Sequence, residues 1–207
     1  MDAGDLLRNE KLVPVVVIED ADNAIALAEC LLGAGLGSIE ITLRSKAALA
    51  AIEKIALHVP NMIVGAGSLR SIEQLAVIRE AGAQFAVAPG SAPGLLDAVE
   101  VSGMPLVPGA ATATEMMQLL ERGYTLQKFF PAELAGGIPY LKAVGAPLPE
   151  LRFMPTGGIT AALAVEYLAL PNVVAVGGSW ITPKNLLDAG DFDEIGRLAA
   201  DAIASGM

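Results

Sequence analysis

Apolar residues along this chain fall into short runs of strand length, each followed by a stretch with helical spacing, and the alternation continues to the end. The first run, Leu12-Val13-Pro14-Val15-Val16-Val17-Ile18, is apolar throughout, as expected of a strand covered on both faces of a parallel sheet. Behind Asp20-Ala21-Asp22, the residues Ala24, Leu27, Ala28, Leu31 and Leu32 recur on one helical face that stops near Gly33. Further strands are predicted over 38–43, 62–64, 84–88, 105–107, 125–130, 152–155 and 173–176. Helices are predicted over 46–57, 71–82, 92–101, 115–122, 138–144, 160–168 and 192–204, and a short polar helix over 2–9 leads in. Ser71-Ile72-Glu73-Gln74 and Thr112-Ala113-Thr114-Glu115 both have the spacing of a capping box at a helix start.

Eight strand-then-helix units with short loops predict a parallel sheet closed as a (β/α)8 TIM barrel with a short N-terminal helix. Residues 1–207 are then one domain, a common length for such barrels. A doubly wound open sheet is the structural alternative, disfavoured because no G-x-G-x-x-G follows the first strand.

Within that pattern one stretch stands out chemically: Leu126-Gln127-Lys128-Phe129-Phe130-Pro131-Ala132-Glu133. A lysine amine held among apolar side chains is a candidate nucleophile able to form a Schiff base with a carbonyl substrate. The alternative is a strand-edge lysine that snorkels its charge to solvent. Alternation along strands puts Lys128 on one face with Leu126 and Phe130. The same rule puts Glu40 and Arg44, with Thr42, opposite the apolar face of Ile39, Ile41 and Leu43, hence inside a barrel. Glu40, Arg44 and Lys128 are expected to meet at the C-terminal ends of the strands, where barrel enzymes keep their sites. Thr156-Gly157-Gly158 and Gly177-Gly178-Ser179 follow the seventh and eighth strands, where backbone N–H groups often cradle a phosphate.

Composition narrows the classes. The chain is 54% hydrophobic with mean hydropathy +0.56, ample for a large core. Gly, Pro or charge interrupts every apolar run well before the ~18 residues of a membrane span, so no membrane role is expected. The opening Met1-Asp2-Ala3-Gly4-Asp5 is acidic and unlike a signal peptide. The single cysteine, Cys30, reads as a buried helical thiol and permits no internal disulfide, so a cytoplasmic setting is expected. A net charge of −10 without a Lys/Arg cluster speaks against nucleic acid, and an anionic substrate would need its own local positive groups. His58 is the only histidine and reads as an exposed helix-end residue, so no zinc site is expected. Trp180 reads as a wall beside the eighth strand, and Asp188, Asp191, Asp193 and Glu194 as a solvated face at a helix start.

The pieces Glu40-Ile41-Thr42-Leu43-Arg44, Gly65-Ala66-Gly67-Ser68, Lys128-Phe129-Phe130-Pro131-Ala132-Glu133, Pro155-Thr156-Gly157-Gly158-Ile159 and Gly177-Gly178-Ser179-Trp180 carry a resemblance. The chain resembles, over essentially its whole length, the bacterial 2-keto-3-deoxy-6-phosphogluconate (KDPG) aldolases, which include 4-hydroxy-2-oxoglutarate aldolases. The resemblance implies a class I aldolase that cleaves KDPG to pyruvate and D-glyceraldehyde 3-phosphate, and 4-hydroxy-2-oxoglutarate to pyruvate and glyoxylate. It implies that Lys128 forms the Schiff base and Glu40 is the general acid/base. It further implies that Arg44 and the Ser68 hydroxyl hold the pyruvate carboxylate, and that Pro89 and Phe130 line the pocket. Thr156, Gly157, Gly158, Gly178 and Ser179 would form the phosphate site. A homotrimer with neither metal nor cofactor is the corresponding expectation.

Two departures bear on substrate. Ser68 stands where the family usually has Thr, which keeps the hydroxyl and loses a methyl. Galactonate-type relatives tend to carry Arg near the end of the first strand and to lack Thr before the seventh-strand Gly-Gly. Val17, Ile18 and Thr156 at those places favour the gluconate-type substrate. Competing readings are a galactonate-type aldolase, a metal-free phosphate-binding barrel isomerase or synthase in which Lys128 only orients an anion, and a catalytically idle scaffold.

Overall fold

The computed structural model describes residues 3–207, so position 2 of the predicted lead-in helix lies outside it. That helix, α1, is Ala3–Leu6, and it is followed by β1 (Leu12–Val16) and α2 (Ala24–Gly33). The chain continues with β2 (Ser38–Thr42), α3 (Ala48–His58), β3 (Ile63–Gly67), α4 (Ile72–Glu80), β4 (Phe85–Val87) and α5 (Pro93–Ser102). Next come β5 (Leu106–Val107), β6 (Gly109–Ala110), α6 (Ala113–Glu121), β7 (Leu126–Phe129), α7 (Gly137–Gly145), β8 (Arg152–Pro155) and α8 (Ala161–Leu168). β9 (Val176–Gly178), α9 (Lys184–Ala189) and α10 (Phe192–Ala204) close the chain.

Every strand pairing is parallel: a six-stranded sheet ordered β5-β4-β3-β2-β1-β9 and a three-stranded sheet ordered β6-β7-β8. The fold is therefore α/β, with helices between parallel strands. The predicted fifth strand is present but split, because Pro108 between β5 and β6 has no N–H for the ladder. Its carbonyl still accepts from the Lys128 N–H at 2.8 Å. At the other margin, β8 meets the approach to β9 through two isolated parallel bridges, Phe153 with Val173 and Thr156 with Gly177.

Alternation along each strand sorts residues into two environments. Ile39, Ile41, Phe129, Phe153 and Val176 join α2, α3, α8 and α10 residues in one large apolar cluster. Val13, Phe85, Val87, Val107, Leu126, Met154 and Ala175 form a second cluster, which Ala3 and Leu7 complete. Leu7 closes a hydrogen bond back to the Ala3 carbonyl, which packs the α1 turn against that cluster.

Helix starts follow their local chemistry. Thr112 and Glu115 make the full reciprocal capping box on α6. At α4 only half of the predicted box forms: Ser71 accepts from the Gln74 N–H, but the Gln74 side chain accepts from the Arg70 N–H instead. Asp191 caps α10 by accepting from the Glu194 N–H, Glu194 pairs with Arg197 and Asp188 with Lys184, so three of the four acidic positions read as a solvated face are partnered. The short α9 was not predicted; Pro183 opens it and Gly190, at φ 67°, ends it. Among the described residues, no helix is long and apolar enough to cross a membrane.

Close approach dictates glycine at position 65. A Cβ on Gly65 would lie 2.3 Å from the ring of Phe85, its cross-strand partner, and Phe85 has no exposure. Gly94 of α5 has open space around its Cβ position and no left-handed φ. Gly65→Ala is expected to destabilise by ~1–3 kcal/mol through overpacking. Gly94→Ala is expected to be neutral or stabilising by ~0.4–1 kcal/mol. Urea denaturation midpoints of the two variants measure the contrast.

Candidate active site

At the C-terminal ends of the strands lies a cavity of about 180 Å³. Its lining brings together Glu40, Arg44, Ser68, Pro89, Lys128, Phe130, Thr156, Gly157, Gly158 and Ser179. Val15, Thr42, Ile159 and Gly177 complete it.

Lys128 comes from the middle of β7, where Gly109 and Met154 are its cross-strand partners, so there is no sideways path to water. It is 5% exposed. Its Nζ lies 3.6 Å from Glu40 Oε1 and 5.2 Å from the centroid of the Phe130 ring. The aromatic face is a favourable neighbour for a cation and an apolar one for an amine. The structure therefore does not give Lys128 the snorkelling role.

Glu40 sits in the middle of β2 and has no exposure. Neither carboxylate oxygen accepts a hydrogen bond among the described residues, and both are buried. A buried unpartnered polar group costs free energy and asks for an explanation, of which a catalytic role is one. Gly67 on the neighbouring strand makes room: a Cβ there would lie 2.0 Å from Glu40 Oε1 and 2.6 Å from Cδ.

Arg44 is not inside the strand layer as alternation suggested. β2 ends at Thr42, and Arg44 stands beyond it on an exposed turn at the rim of the cavity. Its Nε donates to Thr42 Oγ1 at 3.3 Å, and that hydroxyl donates to the Val16 carbonyl at 2.8 Å. Thr42 thus ties the rim cation to β1. Ser68 has φ 60°, a left-handed conformation uncommon outside glycine, and such strain collects at functional sites.

On the far wall, Gly157 and Gly158 adopt φ 104° and 79°, conformations that favour glycine. Thr156 is buried and its Oγ1 fills the space a Gly177 side chain would need, at 2.2 Å from the Cβ position. Gly178 alone of the predicted site residues is absent from the lining. A Cβ on it would meet the Trp180 ring at 2.1 Å, so it faces the half-buried tryptophan while Gly177 faces the cavity. The missed lining residues had a signal: Gly177, Val15 and Thr42 sit at cavity-facing positions of their strands, and Val15 pairs directly with Glu40.

Other singled-out residues lie elsewhere. His58 is exposed at the end of α3. Cys30 is half-buried rather than fully buried; its thiol donates to the Phe192 carbonyl at 2.9 Å, and desolvation raises its pKa. Among the described residues, no group of three or more His, Cys, Asp or Glu is arranged to hold a metal ion.

The sequence matches the family model "Aldolase: KDPG and KHG aldolase" over residues 4–198. It is 46% identical over 200 residues to the 2-dehydro-3-deoxy-phosphogluconate aldolase of Pseudoalteromonas atlantica, covering 97% of this chain and 93% of that protein. It is 43% identical over 201 residues to the KHG/KDPG aldolase of Escherichia coli, covering 97% and 94%. Among solved structures, it superposes with a TM-score of 0.95 and 40% identity on the KDPG aldolase of Legionella pneumophila, with 98% of each chain covered. In that structure pyruvate was captured at low pH as a covalent carbinolamine intermediate.

The packing of Gly67 against Glu40 has a measurable consequence. Gly67→Ala is expected to push the carboxylate out of place and slow turnover by about 10²-fold, the scale of a misplacement near 1 Å. Far-ultraviolet circular dichroism alongside steady-state rates separates this displacement from loss of fold.

Proposed function

The chain belongs to the KDPG and KHG aldolase family, and we propose that Lys128 and Glu40 carry its chemistry as Schiff-base nucleophile and proton shuttle. Its activity is the reversible cleavage of 2-keto-3-deoxy-6-phosphogluconate to pyruvate and D-glyceraldehyde 3-phosphate, by a class I mechanism. The observation that carries the assignment of residues is the Lys128–Glu40 pair, 3.6 Å apart and enclosed at the strand ends.

That separation allows a proton to pass from the ammonium to the carboxylate, directly or through one water, and leaves an amine. The amine attacks the C2 ketone, and Glu40 gives the proton it took to the carbinolamine hydroxyl, which leaves as water to give a protonated imine and a carboxylate at Glu40. Glu40 then accepts the C4 hydroxyl proton, the C3–C4 bond breaks, and its electrons flow into the imine to form an enamine. Glyceraldehyde 3-phosphate leaves. Glu40 returns the proton to C3, and hydrolysis of the imine frees pyruvate and the lysine.

Arg44 and Ser68, both in the cavity lining, bind the carboxylate beside C2. Thr156, Gly157, Gly158 and Ser179 receive the phosphate at the opposite wall, with Gly178 contributing through its backbone. Pro89 and Phe130 shape the space between. The apolar Val17 and Ile18 at the exit of β1, together with Thr156, support the gluconate-type stereochemistry. Without a phosphate to bind, 4-hydroxy-2-oxoglutarate is a second substrate of the same lysine.

The two sheets belong to one closed eight-strand barrel, and residues 1–207 to a single domain. Support comes from the Pro108 carbonyl bonded across to Lys128, from the bridges between β8 and β9, and from the inner cluster that draws on both sheets. A cytoplasmic homotrimer completes the reading. It is supported by the family resemblance and by apolar surface such as Val101, 91% exposed, and Leu134, 90% exposed.

Borohydride reduction in the presence of pyruvate, followed by peptide mapping, tests the assignment. An adduct confined to Lys128 is expected, and its absence from folded protein would move the non-covalent phosphate-binding reading to first place. Lys128→Ala is expected to abolish both adduct and cleavage. Glu40→Gln is expected to slow turnover by ~10²–10⁴-fold, the usual contribution of general acid–base catalysis; unchanged turnover would remove Glu40 from the role.

A further inference from the structure

Glu133 closes the Lys128 motif, yet it is not among the residues that line the cavity. Its carboxylate Oε1 accepts a hydrogen bond from the Tyr167 hydroxyl at 2.5 Å. Tyr167 is on α8 and has no exposure, so the hydroxyl is held at a fixed point of the helix layer. Burial first, and then the hydrogen bond and charge of Glu133, push the phenol above its ordinary range. It therefore stays protonated, and a donor, throughout the neutral range.

The rest of Glu133 lies along the 156–158 turn. Its N–H donates to the Gly157 carbonyl at 3.2 Å, and the preceding Ala132 N–H donates to the Thr156 carbonyl at 2.9 Å. Its side-chain stem covers Gly158, where a Cβ would lie 3.0 Å from Glu133 Cβ and 3.1 Å from Cγ. Gly137, at φ 57°, lets the chain pass the pair: a Cβ there would stand 3.3 Å from both Glu133 Oε1 and the Tyr167 oxygen. Two adjacent glycines with left-handed φ have little intrinsic preference for one conformation. Their geometry has to be imposed from outside: Phe130 and Pro131 face Gly157, while Glu133 covers Gly158 and holds the Gly157 carbonyl through its N–H.

We infer that the Glu133–Tyr167 hydrogen bond is a positioning clamp that fixes the 156–158 turn for the substrate's phosphate, and so sets the preference for phosphorylated over unphosphorylated 2-keto acids. This rests on the aldolase reading and deepens it. Glu133 and Tyr167 touch no reacting atom, and Lys128, Glu40 and Arg44 take no part in their hydrogen bond. The clamp acts on the phosphate end alone, leaving imine formation and proton shuttling as they are.

Tyr167→Phe removes the donor and keeps the ring. It is expected to raise KM for 2-keto-3-deoxy-6-phosphogluconate about tenfold, as fits the loss of a hydrogen bond to a charged group. The kcat for 4-hydroxy-2-oxoglutarate and the rate of reductive pyruvate trapping on Lys128 are expected to stay within about twofold of the unmodified protein. Glu133→Ala is expected to give the same split and serves where Tyr167→Phe fails to fold. Glu133→Gln, which retains an accepting oxygen, is expected to restore the low KM. An unchanged KM for the phosphorylated substrate, equal losses on both substrates, or a Glu133→Gln enzyme as impaired as Glu133→Ala would each overturn the clamp. Unmodified protein that traps no pyruvate would overturn the aldolase reading beneath it, a result distinguishable from failure of the clamp alone.

Discussion

A lysine and a glutamate of opposite charge, enclosed together at the strand ends, set the terms for the rest of this molecule. Glu40 is wholly buried and Lys128 nearly so, and the distance between them, 3.6 Å, is too long for a good hydrogen bond. Taking two such charges out of water costs several kcal/mol per ion, and a pair of apolar residues of similar volume often serves stability as well or better. Stability alone does not account for the pair. On the reaction proposed for them, the sheet bears the cost because both groups need to reach a substrate carbon without competing water, and the surroundings are shaped to hold them. Gly67 leaves out the side chain that would collide with Glu40, and the Phe130 ring flanks the lysine amine.

That burden is carried by a division along each strand. Moving up β7 on the inner face, Leu126 belongs to the apolar cluster, Lys128 to the site, and Phe130 to its wall. β8 repeats the order with Met154 below and Thr156 above, and β1 with Val13 below and Val15 above. The lower layer, completed by Ala3 and Leu7, supplies dry packing. The upper layer is thereby free to hold groups chosen for chemistry. Burial of apolar surface is worth ~25 cal/mol per Å², so the apolar layer and the larger helix-facing cluster can offset a costly pair above them.

Much of this was legible in the sequence because the two periods differ so clearly. The runs at 12–18 and 38–43 could only be covered strands, and the alternation in Glu40-Ile41-Thr42 already separated the site face from the helix face. What escaped was governed by a single residue's local chemistry. Pro108 splits a strand because it lacks an N–H, and Pro183 with Gly190 brackets a helix too short for periodicity to reveal. Arg44 was placed by extending alternation two residues past the point where the strand ends; beyond Thr42 the turn, not the pleat, decides direction. The choice between Gly177 and Gly178 is likewise a matter of register, fixed by the bridge from Thr156 to Gly177 and by the bulk of Trp180. Thr156 lies too far from Gly177 in sequence for spacing to reveal that bridge.

A chain with net charge −10 that acts on anions must concentrate attraction where it is needed. The cavity lining holds two cationic side chains, Lys128 beside Glu40 and Arg44 bonded to Thr42. The opposite wall offers no Lys or Arg, only hydroxyls and the backbone of a glycine turn that runs into the N-terminus of α8, capped by Thr160. Backbone N–H groups at a helix start favour an anion without a mobile charge that could fold back onto Glu40. A lysine at that wall would compete with Lys128 for the same carboxylate and weaken the pairing the chemistry needs. With the phosphate on peptide groups, as proposed, the two ends of the substrate stay electrostatically separate. The cost is a turn with little stiffness of its own, which is why its conformation must depend on the residues packed behind it.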